Sequence, residues 1–223
     1  MAQTWHDLLF AHWPLPPSVV APLLPAGLPL DTFDGQAWLG VVPFHMTGIR
    51  LRLIPPLPGL SAFPELNVRT YATLAGKPGV YFLSLDAANR VAVATARRWF
   101  HLPYVHASMG SRWEGEAVRY VSERTRSPAA FRARFGPSGP VFRARPGSLD
   151  HWLTERYCLY VANRHGTLYR GDVHHLPWPV QPAWAEIAVN TMAEAAGLRL
   201  PETAPRLHFS RRLEVRVWGL EQV

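Results

Sequence analysis

The sequence predicts an α+β fold of mainly antiparallel strands, curled into a partly open β-barrel with a few short helices. Three observations predict it. Short runs of apolar-polar alternation recur along the whole chain, 22 prolines and 16 glycines punctuate it without low complexity, and few stretches carry a helical apolar spacing. With 223 residues, 48% of them hydrophobic, the chain can bury a substantial core. It contains no repeat or linker, which predicts a single domain over residues 1–223.

Taken in order, Ser18 is expected to cap a short helix through VVAPLL, closed by Pro25. LPLDTFDGQAWLGVVPF reads as two strands around the turn pair Asp34-Gly35. In ELNVRTYATL, Glu65, Asn67, Arg69 and Tyr71 alternate with Leu66, Val68 and Thr70, so the two sets lie on opposite faces of one strand. GKPG then turns the chain into VYFLSLDA. Strand character continues in VAVATARRWFHL, AVRYVSERTR, RYCLYVA, TLYRGDVHH and HFSRRLEVRVW. AAFRARFGPSGPVFRAR reads as a hairpin in which Phe131, Ala133 and Phe135 alternate with Arg132 and Arg134. Two further helices are expected in the second half, GSLDHWLTER with Ser148 as N-cap and PAWAEIAVNTMAEAAG ending at Gly197.

No stretch approaches a membrane span, and MAQTWHDLLF lacks a signal-peptide pattern. The single cysteine, Cys158, can form no internal disulfide. A cytoplasmic location without a membrane partner is therefore expected. The net charge of +7 is an arginine charge, because Lys77 is the only lysine. Arginines concentrate between Arg119 and Arg145, opposed there only by Glu123. This is the sequence's case for nucleic acid, but alternation makes them a solvated sheet face, and no nucleic-acid module accompanies them. Homo-oligomerisation is left open.

Adjacent His174 and His175 point to opposite faces of a strand and cannot share an ion, so no metal site is expected. There is no GxSxG elbow, P-loop or strand-linked GxGxxG, and no cofactor is expected. What remains is the polar strand side of Glu65, Asn67, Arg69 and Tyr71. It is an ordinary surface if it faces outward, and a hydrogen-bonding wall for a ligand if it faces a cavity.

Through LFAHWPLPP, LPLDTFDGQAWLGVVPF, FPELNVRTYA, GVYFLSLDA, ARRWFHLPY, GSLDHWLTERY and VHHLPWP, the chain resembles the uncharacterised DUF2071 (YqjF-like) family over nearly its full length. It is more distantly similar to acetoacetate decarboxylase. The decarboxylase resemblance rests on a Pro-Xaa-Gly-Leu-Pro-Leu-Asp stretch after the first helix, on Glu65 and on the Ala96-Arg97 strand entry, followed six residues after Arg97 by Pro103. In the decarboxylase a pair of lysines follows that proline, and the first forms a Schiff base with the keto acid. Here Tyr104 and Val105 follow, so the resemblance implies the fold without the imine chemistry. Lys77, in a solvated turn, is no replacement.

The resemblance places Glu65, Arg97 and Tyr104 at one site. Their chemistry implies Arg97 and Arg69 orienting a small anionic or carbonyl-containing molecule beside Asn67, with Glu65 and Tyr104 exchanging protons. An ion pair between Arg97 and Glu65 is also expected. A lyase or hydratase-type enzyme is the leading expectation. A non-catalytic ligand-binding, sensor or structural module is the alternative, and nucleic-acid binding the weaker one.

Overall fold

In the computed structural model the described residues are 1–50, 61–90, 93–94 and 100–223. Eleven strands form one mixed sheet in the order β1-β2-β3-β4-β5-β6-β7-β10-β11-β9-β8. They are β1 (Ala2–Leu15), β2 (Ala37–Arg50), β3 (Phe63–Leu74), β4 (Lys77–Ala87), β5 (Tyr104–Glu114), β6 (Ala117–Arg124), β7 (Ala130–Pro137), β8 (Cys158–Ala162), β9 (Leu168–His175), β10 (Gln181–Asn190) and β11 (Arg206–Gln222). Helices α1 (Pro17–Val20) and α2 (Leu149–Thr154) accompany them.

The sheet turns back on itself where β11 pairs antiparallel with β1, from Ala2 opposite Arg216 to His12 opposite Arg206. A second return is thin: β4 pairs parallel with β8 only at Val80–Leu159 and Tyr81–Tyr160. β4 then takes β5 as its parallel neighbour from Leu85 to Ala87. The strand therefore changes partner midway, and the barrel is partly open.

Alternation sorts the core into layers. From β1, Leu9, Ala11, Trp13 and Leu15 join Leu39, Val41, Leu66 and Val68 against Val118, Tyr120, Phe131 and Phe135 of β6 and β7. Further clusters lie elsewhere on the sheet. One holds Leu8, Phe10, Val42, Phe44 and Trp178. Another holds Tyr71, Val80, Leu153, Leu159 and Val161.

The β3–β4 connection is a two-residue turn in which Ala75 and Gly76 have φ of 50° and 72°. Both are left-handed, the geometry that matches the twist of a hairpin. Asp34 and Gly35 form the same kind of turn, with φ of 49° and 74°. Before it, however, the chain makes only isolated bridges at Leu30 and Phe33 rather than a strand.

Several expectations need correction. Of residues 182–197, expected as helix, those from 182 to 190 lie in β10, which pairs antiparallel with β7 from Ala183 to Asn190. Trp184, Ile187 and Ala188 fit a helical spacing, but Ala183, Ala185 and Ile187 alternate at the strand period and pack against the core, and the free edge of β7 supplies backbone partners that a helix would forgo. Only a 3-10 turn at Glu194–Ala196 remains of the helix. The arginine hairpin does not form: after β7 the chain makes one bridge, Phe142 with Val180, and β7 lies between β6 and β10 instead. Pro16, not Ser18, is the N-cap residue of α1, with no side-chain cap. Within VAVATARRWFHL, Val93 and Ala94 are helical, not extended, and most of the rest lies outside the described residues. β1, anticipated by no element, is one of the longest strands. Ser148 does cap α2, accepting from the His151 amide.

Candidate functional site

β3 is the centre of the site. β2 flanks it on one edge and β4 on the other. Leu66 and Val68 enter the layer shared with β6 and β7. The polar face is buried as well: Glu65 is 4% exposed, Asn67 4%, Arg69 8% and Tyr71 0%. The outward-facing alternative is therefore excluded, and four polar side chains in a row occupy an interior face.

At one end the Tyr104 hydroxyl donates to Glu65 Oε2 at 2.6 Å. Burial raises the Glu65 carboxyl to a pKa of about 7; the Tyr104 bond pulls it down and the Asp86 carboxylate pushes it up. The Tyr104 phenol is held well above its ordinary range, by burial and then by the Glu65 charge. Tyr104 thus keeps its proton while Glu65 exchanges one near neutrality, as a general acid or base requires. On the other face Tyr120 donates to the Glu65 carbonyl oxygen at 2.7 Å, fixing the backbone beneath the carboxyl.

Further along, the Arg69 guanidinium lies 5.2 Å from the centre of the Phe10 ring and 5.7 Å from that of Tyr71. It donates to the Leu153 carbonyl at the end of α2 across 3.4 Å, and its Nε has no partner. No carboxylate among the described residues forms an ion pair with it, and segments 51–60, 91–92 and 95–99 contain no Asp or Glu. Asn67 Oδ1, between Glu65 and Arg69, is also without a donor. Buried polar atoms carry a desolvation cost unless something satisfies them.

The geometry adds residues that the sequence did not single out. Gly40 on β2 lies opposite Arg69, and His12 on β1 lies opposite Gly40. A Cβ at Gly40 would meet the His12 ring at 3.0 Å and Arg69 Cγ at 3.3 Å. The glycine is thus what lets these two side chains lean together. His12 Nε2 meets the Tyr71 hydroxyl at 2.7 Å, and that hydroxyl donates to the Leu153 carbonyl at 2.9 Å. Arg156, after α2, pairs with Asp31 at 2.7 Å and lies over the Tyr71 ring at 4.9 Å. Two guanidinium groups thus approach the Tyr71 ring. The only sequence signals for His12 and Gly40 were a histidine in an apolar strand and a glycine in the next one.

The sequence-proposed residues are distributed unevenly. Glu65 and Tyr104 are in contact, and Asn67 and Arg69 continue the same face. Arg97 lies outside the described residues, and so does its expected pair with Glu65. Lys77 is at the surface, 2.7 Å from Asp172. Cys158 is a buried free thiol whose pKa is raised by burial. His175 is buried and His174 exposed, on opposite faces as expected. Arg119, Arg124, Arg132 and Arg134 of the basic stretch each meet a carboxylate within the fold. Among the described residues, no group of three His, Cys, Asp or Glu is placed to hold a metal ion, and no helix is long and apolar enough to cross a membrane.

Where β4 leaves β8 and has not yet met β5, a groove of about 310 Å³ opens, lined by Tyr81, Phe82, Leu83, His101, Pro103 and Val161 among others. It does not include Glu65 or Arg69. Of its lining residues, Phe82 pairs with Arg69 across the strands and Pro103 precedes Tyr104 in the chain.

The sequence matches the DUF2071 family, described as an uncharacterized conserved protein, over residues 2–214. It is 51% identical over 223 residues to the uncharacterized protein YqjF of Bacillus subtilis (strain 168), covering 100% of this chain and 92% of that one. Among solved structures it resembles acetoacetate decarboxylase from Legionella pneumophila, with TM-score 0.66, 13% identity, and coverage of 100% of this chain and 86% of that chain. It also resembles the enduracididine biosynthesis enzyme MppR complexed with a condensation product of pyruvate and imidazole 4-carboxaldehyde, with TM-score 0.68, 12% identity, and coverage of 99% and 88%. An acetoacetate decarboxylase-like enzyme from Sphingomonas wittichii RW1 gives TM-score 0.66 at 15% identity, covering 100% of this chain and 92% of that one. At such identities the likeness is one of fold.

Proposed function

We propose, for a chain that belongs to the DUF2071 family and has an acetoacetate decarboxylase-like fold, that the β3 face binds a small carbonyl or carboxylate compound and moves a proton on it. The observation that carries this reading is one buried strand face with a carboxyl of pKa about 7 at Glu65 and an unneutralised guanidinium at Arg69. Arg69 holds the anionic end of the ligand, Asn67 contributes an acceptor, and Glu65 takes or gives the proton. Tyr104 holds the Glu65 carboxyl and can follow it with a hydrogen bond to a carbonyl oxygen. The reaction class is lyase or hydratase-like, without an imine, because Tyr104 stands where the resemblance to the decarboxylase puts its reactive lysine. The MppR structure with a pyruvate-derived product supports a carbonyl acid by analogy of fold alone.

Deuterium exchange next to the carbonyl of 2-ketobutyrate, followed by proton NMR in D2O, tests this reading. The protein is expected to accelerate the exchange, and Glu65→Gln to reduce it by about 100-fold or more. If the wild-type protein gives no acceleration, proton transfer is overturned. The alternative is then a non-catalytic binding or structural module. The bonds from Arg69 and Tyr71 to the Leu153 carbonyl favour that alternative, since they also tie α2 into the barrel.

A further inference from the structure

The polar belt carries more unpartnered atoms than an anion alone would satisfy. Besides Arg69 Nε and Asn67 Oδ1, His12 Nδ1 and His208 Nδ1 are buried without partners. His12 is 0% exposed and His208 2%. Phe10 lies opposite His208 and His12 opposite Arg206, so the two histidines are diagonal neighbours on one face, with Cβ atoms roughly 7 Å apart.

Their tautomers follow from their other nitrogens. His208 Nε2 lies 3.0 Å from Asp150 Oδ1, and Arg206 also binds that carboxylate. Asp150 is held below its ordinary range, so it is an ionised acceptor, and His208 Nε2 carries the proton. Tyr71 has one hydroxyl proton and two neighbours. Donating it to Leu153 O while His12 Nε2–H donates to the phenol oxygen satisfies both contacts, whereas the reverse satisfies one. Burial keeps both rings neutral. Both Nδ1 atoms therefore present lone pairs. The belt thus has an unmet donor at Arg69 Nε and unmet acceptors at His12, His208 and Asn67. The Arg69 charge beside His12 disfavours a metal cation as the partner of those lone pairs.

Resting on the reading that Arg69 binds a carboxylate, we propose that the belt recognises a short hydroxycarboxylate, with its carboxylate on Arg69 and its hydroxyl donating to the His12–His208 pair. The leaning of His12 and Arg69 over Gly40 sets the scale, because acid and hydroxyl must lie within a few bonds of one another.

Two matched pairs test it by calorimetric titration of the wild-type protein at pH 7.5: lactate against propionate, and 3-hydroxybutyrate against butyrate. At least one hydroxy acid is expected to bind at least tenfold more tightly than its partner, since a site built for a hydroxyl rejects the analogue that leaves its buried groups unpaired. His12→Phe should bring that hydroxy acid to the affinity of its deoxy partner while leaving the partner within about threefold. Arg69→Met should remove binding of both. Equal affinities within both pairs overturn the hydroxyl inference and leave the carboxylate reading standing. If none of the four acids binds, both are overturned. The wild-type comparison holds even if a variant misfolds.

Discussion

The Tyr104 hydroxyl and the Glu65 carboxyl, 39 residues apart in sequence, meet at 2.6 Å in the interior. This bond pulls the Glu65 pKa down against its burial. Tyr104→Phe removes it at nearly constant volume, so the apparent pKa of Glu65 should rise above about 7. Carbon-13 NMR titration of the Glu65 carboxyl reads this directly, and a downward shift would contradict the assignment.

Glu65 should also weaken the fold at high pH. Its carboxyl ionises near 4.5 ordinarily and near 7 in the folded protein. Between these values the folded state binds the extra proton, so stability falls as pH rises from 4.5 to 7 and the loss is complete above 7. The total is on the order of 3 kcal/mol. Urea unfolding of Glu65→Gln should lack this decline, and the variant should be the more stable protein at pH 8.

Gly40→Ala places a methyl group 3.0 Å from the His12 ring. We expect a loss of about 1–3 kcal/mol in thermal or urea unfolding. Binding of any acid that depends on Arg69 should weaken as well, because Arg69 Cγ is displaced from the same notch. Unchanged binding would separate Arg69 from the site.

Asp86 and Arg124 form a buried pair at 2.8 Å, and Ser122 and Ser84 complete their hydrogen bonds. Burial raises the Asp86 pKa even against the pull of Arg124. Asp86→Ala leaves an unpaired guanidinium and should cost about 3–5 kcal/mol. The double variant Asp86→Ala, Arg124→Met should recover part of that loss, measured as a double-mutant cycle.

No imine should form with pyruvate. Lys77, the only lysine, is ion-paired with Asp172, and Tyr104 cannot make one. Borohydride treatment in the presence of pyruvate should add no mass to the peptide containing Lys77. A stoichiometric adduct there would restore Schiff-base chemistry.

The alternation of residues 65–71 was legible because a strand period of two needs only neighbouring residues. The turn at Asp34-Gly35 was legible for the same local reason, and the placement of Tyr104 near Glu65 came from the family resemblance. His12, Arg156 and His208 were not legible. Each reaches the belt through a pairing or a plug that joins distant segments: β1 with β11, and α2 with β3. β10 was misread because its apolar residues satisfy a helical spacing, and the deciding partner, β7, lies some 50 residues earlier. Local pattern gave faces and turns, while the assembly of the site depended on contacts between strands.

The pairing of β1 with β11 also shapes how the protein is made. A ribosome releases β1 long before β11, the partner that covers one of its edges with Ala2 opposite Arg216. Until then Leu8, Leu9 and Phe10, all buried at the end, have half their sheet missing. Such long-range closure is slow, and an open edge beside apolar side chains invites pairing with other chains. Yield in a cell-free translation system is therefore expected to rise when a holding chaperone is supplied.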